Sequence, residues 1–591
     1  MNKTYHILNK VAKKGMSALL LAPLALVSCN DFLDQVPDER AEINTETSVV
    51  QLIASAYPTA SYMWLSELLS DNIIDNMVPH MPTSSNAKQV LSHYNYGSYA
   101  MWDDELFRFE PATQATYNDW DSPGMLWNAY YSSIATVNHA LKAIDELQQS
   151  GTTLSEKVRW AKAEALMIRA YCHFMLAQFF CQAYKDEEQS SKDIGIPYVT
   201  EVEDKVLVDY DRGTVADTYR KIRADLEAAL PDITDQLYEK PKWHFNVNAA
   251  HAFAARFYLT VREWKKVVEQ ADAVFGSDPS LYTMNYSLFT KDLSTFSDYG
   301  KVWQNPTTSN NIMLMATYSV HSRRSWGSRY SCAGPAARAA FMYHANSHLF
   351  SGYAVPTFEI IGFTAASSST QDYGMTTSRI DEEFEYSDKT AGIGYPHQIL
   401  MPFTGNILLL ERAEAKIMQG DYTGGGQDLM DFWNFQVNSL NADQKKEYGS
   451  YLKEMTPAIF TDYYSKTTKL NDNILTDSAW ECTKKNITSS YVIPAAAVPY
   501  MNCLNDLKRW ETALLGMRYF DLKRWGMEWS HQFSQDGKIY EMKMEGNDPR
   551  RAVELPWEAI SAGMQKSHPY PYDNRVEVVI KEESDDVAPM Q

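Results

Sequence analysis

Apolar residues recur at helical spacing in several separate blocks along the chain. From Ser155, a residue suited to cap a helix, Val158, Ala161, Ala165, Ile168, Cys172, Met175 and Phe179 make one apolar stripe. Thr214, with Asp217 three residues on, has the form of a capping box. Val215, Tyr219, Ile222, Leu226 and Leu230 follow at helical spacing, and Pro231 stops the run. Asn248 is placed to cap a helix through Val261, and after a break at Arg262-Glu263 a second helix carries Val267, Val268, Ala271 and Phe275. This Ala-rich helix–turn–helix reads like a tetratricopeptide-type unit. A similar pair runs from Asn406 to Met418, turns at Gly420-Asp421, and continues with Leu429, Phe432, Trp433 and Val437. Residues 280–400 are rich in Ser, Tyr, Gly and Asn and only weakly periodic, which predicts functional loop or small hairpins. Residues 530–591 hold short extended pieces such as Val576-Glu577-Val578-Val579-Ile580. The expected architecture is mainly α, with a loop-rich portion threaded through the helices.

The head of the chain has a different pattern. Lys3, Lys10, Lys13 and Lys14 precede a short apolar run from Leu19 to Val27, interrupted by Pro23. That order of positive head, apolar core and small residues is that of a secretory signal. The run is too short to span a bilayer of roughly 30 Å. It closes on Leu26-Val27-Ser28-Cys29, which resembles a lipobox, so residues 1–28 are expected to be removed and Cys29 to carry lipid. Asn30-Asp31-Phe32-Leu33-Asp34 and Pro37-Asp38-Glu39-Arg40 then suit a polar tether. Acidic residues just after the cysteine resemble the signal for the outer face of the outer membrane in lipoproteins of gut Bacteroidetes.

The 591 residues hold 54 Lys+Arg and 75 Asp+Glu, a formal net charge of −21. Loss of the four head lysines takes that balance to −25. No basic footprint is available for nucleic acid, which is excluded as a partner. The 15 Trp, 37 Tyr and 23 Phe exceed what core packing alone asks for, and part of the excess lies in Gly/Ser/Asn-rich stretches, which points to rings facing water or ligand. Of six cysteines, five remain beyond Cys29, and no CxxC pair or disulfide framework is visible. Cys172 and Cys181 sit nine residues apart on one helix, about 13 Å of rise, too far to bond. They read as buried thiols.

Five segments, in order, resemble the SusD/RagB family of outer-membrane glycan-binding lipoproteins. They are Cys29-Asn30-Asp31-Phe32-Leu33-Asp34 with Pro37; Ala163-Glu164-Ala165 with Arg169-Ala170-Tyr171; Gly195-Ile196-Pro197-Tyr198-Val199; Gly516-Met517-Arg518-Tyr519-Phe520-Asp521-Leu522-Lys523-Arg524-Trp525-Gly526; and Leu555-Pro556-Trp557-Glu558-Ala559-Ile560. Leu515 and Leu507 stand where the family usually has Glu. The fourth segment also has a purely physical reading. Arg518 and Asp521 are three apart and can pair, Arg524 can stack on an aromatic or cap carbonyls, and Gly526 can end the helix.

The resemblance implies a SusD-like fold with four tetratricopeptide-like helical hairpins packed against a loop-rich ligand-binding portion with small β elements. It implies a signal peptide over 1–28, an N-terminal region over 29–240 and a C-terminal region over 241–591. The implied role is capture of oligosaccharides at the cell surface and their delivery to a SusC-like TonB-dependent transporter, which the protein would cover as a hinged lid. A binding protein for peptides or another nutrient is the alternative, and a lipid-anchored glycoside hydrolase a distant third.

Sugars are held by flat rings against C–H faces, with Asp, Asn and Arg meeting the hydroxyls. Two stretches supply that mix outside clear helices. Tyr94 to Asp103 contains Tyr96 and Trp102, with Asp71-Asn72 nearby in sequence; Trp303 and Arg323 to Tyr330 contain Trp326 and Arg329. The expected ligand contacts are Asp71, Asn72, Tyr96, Trp102, Trp303, Trp326 and Arg329, each ring also able to pack a loop onto the core. No motif selects a pair of catalytic carboxylates. His344 and His348 have the i, i+4 spacing of a zinc pair, but Ala345 stands where a catalytic Glu belongs. Gly424-Gly425-Gly426 lacks the Lys of a phosphate loop and reads as a turn before a helix. Neither an enzymatic activity nor a cofactor or metal is expected.

Overall fold

The structure, a computed structural model, describes residues 45–78, 99–151, 153–203, 210–325, 329–332, 363–368, 371–449, 453–462, 464–465, 490–567 and 573–578. It is mainly helical, and the helices fall where the apolar stripes placed them. The central helix is α5 (Glu156–Phe180), buried over most of its length between α4 (Pro123–Gln149) and α7 (Val215–Ala229), with α1 (Glu46–Ala54) against α4 and α5 and α6 (Glu187–Ser190) against α7. Two further hairpins are α8 (Val247–Thr260) with α9 (Trp264–Phe275), and α12 (Gly405–Met418) with α13 (Tyr422–Asn438). α9 and α14 (Val498–Thr512) both pack on α12, so the later helices form one continuous stack. Among the described residues no helix is long and apolar enough to cross a membrane.

Local chemistry refines the expected boundaries. Thr214 caps α7 as read, accepting from Asp217 N at 3.1 Å, and α7 ends at Ala229 before a 3₁₀ turn that holds Pro231. Ser155 occupies the N-cap position of α5 without a capping bond from its side chain; its own N–H donates to Glu46 at 2.9 Å. Asn246, not Asn248, caps α8, accepting from Ala249 N at 2.9 Å. The Gly424–Gly426 triplet lies inside α13 rather than before it. A Cβ on Gly425 would lie 2.5 Å from Ile417 Cγ1 and 3.0 Å from the Ala413 carbonyl oxygen, so the glycine lets α13 settle onto α12.

The stretch 280–400 does build hairpins. The strands β2 (Asn311–Tyr318), β6 (Glu382–Asp388) and β7 (Ile393–Thr404) form an antiparallel sheet in the order β2-β7-β6. The strands β4 (Phe363–Ser368) and β5 (Gln371–Thr377) pair with each other, and β1 (Ile74–Asp75) pairs with β3 (Tyr330–Ser331). Near the C-terminus β8 (Trp529–Gln535), β9 (Lys538–Met544) and β10 (Val576–Glu577) make a second three-stranded sheet. Short helices α2 (Met63–Leu68), α3 (Met101–Phe107), α10 (Phe296–Trp303), α11 (His321–Ser325) and α15 (Arg518–Arg524) link these layers.

The signature helix α15 is an ion-pair centre. Arg518 does not pair with Asp521; it grips Asp71 with two bonds of 2.8 and 2.9 Å, because burial of both groups rewards a bidentate partner over an i, i+3 neighbour. Asp521 is instead held by Lys508 at 2.8 Å and Arg524 at 2.7 Å. Arg524 stacks 5.2 Å from the Trp525 ring centroid and donates to Glu414, and Gly526 closes the helix at φ 65°. Beside Leu515, the Gly516 N–H donates to Glu67 at 2.8 Å. Cys172, Cys181, Cys332 and Cys503 are buried free thiols.

Candidate functional site

Strand β7 alternates as a half-buried strand should. Pro396, Gln398 and Leu400 point inward, while Tyr395, His397 and Ile399 share the outer face. Tyr318, at the end of β2, pairs in register with His397, with ring centroids 4.7 Å apart. Tyr395 lies 5.5 Å from Tyr318 and is 46% exposed. Trp120 completes the group, 5.9 Å from Tyr318 and 6.3 Å from Tyr395. Three partly exposed rings thus stand together on one face of the sheet, beside His397.

Trp120 comes from a turn, and buried chemistry fixes that turn. Asp121 adopts a left-handed φ of 62° and accepts from Val320 N at 3.0 Å, tying the turn to the segment after β2. Burial pushes the Asp121 carboxyl up to about 6, against the pull of Arg324. The Trp120 carbonyl accepts from Arg324 Nη2 at 3.3 Å. The Arg324 guanidinium sits 4.8 Å over the Trp102 ring and donates to both Asp103 oxygens at 2.9 and 3.0 Å. Asp103 also accepts from Trp64 Nε1 at 2.9 Å and from the Ala100 N–H at 2.7 Å. Arg323 pairs with Glu382 of β6, which lies opposite the inward Gln398, while on the ring face Glu385 lies opposite Tyr395 and pairs with His397. Flat faces with charged groups at the rim are what a polyhydroxylated ring needs for stacking and hydroxyl bonding.

The residues singled out from the sequence occupy other places. Trp102 and Trp303 are each 1% exposed, the first under Arg324 and the second 4.0 Å beneath the Arg379 guanidinium. Asp71 is enclosed by Arg518 and Arg509, whose charges outweigh burial and hold its carboxyl well below the usual range. Asn72 accepts from Arg509 Nε at 3.0 Å and donates to Glu67 at 3.0 Å. Arg329 pairs with Asp75 at 2.8 Å and Asp104 at 3.1 Å. In this structure these five face the interior, since each ring or charge found a buried partner. Tyr96, Trp326, Cys29, His344 and His348 lie outside the described residues. Trp120, Tyr318 and Tyr395 escaped the sequence reading. The available signals were a lone Trp in the polar run Asn118-Asp119-Trp120-Asp121 and the alternation of Tyr395 and His397. Among the described residues no group of three His, Cys, Asp or Glu is set to hold a metal ion.

A family model of SusD-like proteins, described as starch-binding and associating with the outer membrane, matches residues 31–259. No curated protein matches the chain in sequence. Among solved structures, a SusD superfamily protein from Bacteroides vulgatus ATCC 8482 aligns with a TM-score of 0.56 at 17% identity, covering 90% of this chain and 100% of that one. A SusD-like protein from Bacteroides fragilis NCTC 9343 aligns with a TM-score of 0.50 at 14% identity, covering 90% and 97%. A second SusD superfamily protein from Bacteroides vulgatus ATCC 8482 aligns with a TM-score of 0.50 at 13% identity, covering 88% and 97%. At these identities the likeness to the solved structures is one of fold.

Proposed function

We propose that this chain, similar over residues 31–259 to a model of SusD-like proteins and similar in fold to SusD superfamily structures, is a surface lipoprotein capturing oligosaccharides for uptake. The observation that carries this reading is the partly exposed cluster of Trp120, Tyr318 and Tyr395, braced from behind by Arg324, Asp103 and Trp102. The rings would stack on sugar faces while Glu385 and His397, on the same face of the sheet, meet hydroxyls. Asp71, Asn72, Trp102, Trp303 and Arg329 then serve the site by holding its supporting elements rather than by touching ligand. The family description supports a glycan ligand and an outer-membrane setting. Anchorage through lipid on Cys29, an outward-facing position and transfer to a SusC-like TonB-dependent transporter complete the proposal. Capture proceeds without turnover of the glycan.

The test is a glycan-array screen on the soluble chain beginning after Cys29, run beside an assay for released sugar. Binding without release supports capture, and the bound class names the nutrient. Absence of binding to every glycan would favour peptides or another nutrient on the same scaffold. Release of sugar would make the protein a hydrolase and sink the proposal.

A further inference from the structure

A concavity lies along α4 and shares no residue with the aromatic cluster. One wall is a helical ridge of every fourth residue: Trp127, Tyr131, Ala135 and His139. The facing wall is the segment that presents Pro197, Val199, Glu201, Val202 and Glu203. Ala135 has only a methyl group where its ridge neighbours carry rings, and that notch opens a cavity of about 390 Å³. The two walls are bonded to each other below the notch. Tyr131 Oη donates to the Pro197 carbonyl at 2.8 Å, and Asn138 Nδ2 donates to the Val199 carbonyl at 3.1 Å. Trp127 and Tyr131 lie 4.6 Å apart at 51°, with Trp127 also edge-on to Phe180 at 5.0 Å. The groove is therefore preformed.

Its hydrogen-bonding sense is one-sided. The Tyr131 hydroxyl is spent on Pro197, and the Tyr210 hydroxyl donates to Glu203. Among the described residues the lining holds two carboxylates and one imidazole, His139, and neither Lys nor Arg. A sugar both donates and accepts, whereas an ammonium group only donates. Aromatic faces at one end and carboxylates at the other match an apolar body carrying a cationic head, through cation–π attraction and charge. We infer that this groove binds a small organic ammonium ion, with its apolar part on Trp127 and Tyr131 and its charge against Glu201 and Glu203.

Benzylamine, cationic near neutral pH, and its neutral counterpart benzyl alcohol are the probes, titrated calorimetrically into the soluble chain at low salt. Benzylamine is expected to bind about tenfold or more tightly than benzyl alcohol. The Glu201→Gln/Glu203→Gln double variant changes only exposed carboxylates and is expected to lose that advantage with an unchanged thermal melt. Ala135→Phe fills the notch and is expected to abolish benzylamine binding while leaving glycan binding intact, which separates this site from the aromatic cluster. Equal affinity for the two probes, no benzylamine binding at millimolar concentration, or an unaffected double variant would each overturn the inference.

Discussion

Glu414 has no exposed side-chain surface, yet it is kept ionised. Burial alone would raise its carboxyl, but Arg524 and Lys508, with bonds from Trp525 Nε1 and the Tyr491 hydroxyl, hold it down at about 2. A folded-state value depressed below the unfolded one stabilises the fold above roughly pH 4.3 and loses that stabilisation as pH falls toward the folded value. Glu414→Gln leaves Arg524 and Lys508 short of a buried counter-charge and is expected to cost about 3–5 kcal/mol at neutral pH. Urea melts across the acid range should show the variant's stability falling less steeply below pH 4 than the parent's; parallel curves would refute this role. Glu67 has the opposite sign. Burial raises it to about 7, so it contributes most below its ordinary value and loses that contribution as pH rises through neutrality. At the aromatic cluster, Trp120→Ala and Tyr395→Ala should each weaken glycan binding by about 0.5–1.5 kcal/mol, with an unchanged melt for Tyr395→Ala. Unaltered affinity in both variants would dismiss the cluster. Trp102→Ala is expected to cost about 3–5 kcal/mol of stability, as for other buried rings. The difference between Trp102 and Trp120 was not legible in the sequence. Both are tryptophans among Asp residues, and only the long-range arrival of Arg324 decides which one is covered.

Elements were far more legible than side-chain positions. The stripes of α5, α7 and α8 span three or more turns, and so long a periodicity leaves few alternatives. Caps moved by a residue or two, as with Asn246, because several neighbouring residues can accept the same N–H. Within the region 280–400 the place of β2 was obscure because it pairs with a partner distant in sequence, Tyr318 with His397 for instance, and no local pattern encodes that. The Gly424–Gly426 triplet misled for a related reason. Glycine inside a helix normally costs about 1 kcal/mol against alanine, so a turn is the local expectation. Contact with α12 reverses that preference. Gly425→Ala should therefore destabilise, by about 1–3 kcal/mol, through collision with Ile417 and the Ala413 carbonyl. A denaturant midpoint that rises instead of falling would show that the two helices tolerate separation.

At the scale of the whole molecule, the proposed anchorage rests on the lipobox-like head. Cys29→Ser is expected to move the protein from the membrane fraction to the soluble one and to abolish palmitate labelling, with the glycan affinity of the remainder unchanged. Retention in the membrane with normal labelling would rule out that anchor. The grip of Arg509 and Arg518 on Asp71 makes closure of the fold a long-range event. The backbone and side chain of Asp71 wait for partners 438 and 447 residues further on, and the Phe179 carbonyl waits for the Val553 N–H. Until those partners arrive, Asp71 is a charge without its buried counter-ions, so the turn after α2 settles only against α14 and α15. Segments 438 and 447 residues apart thus close as one unit.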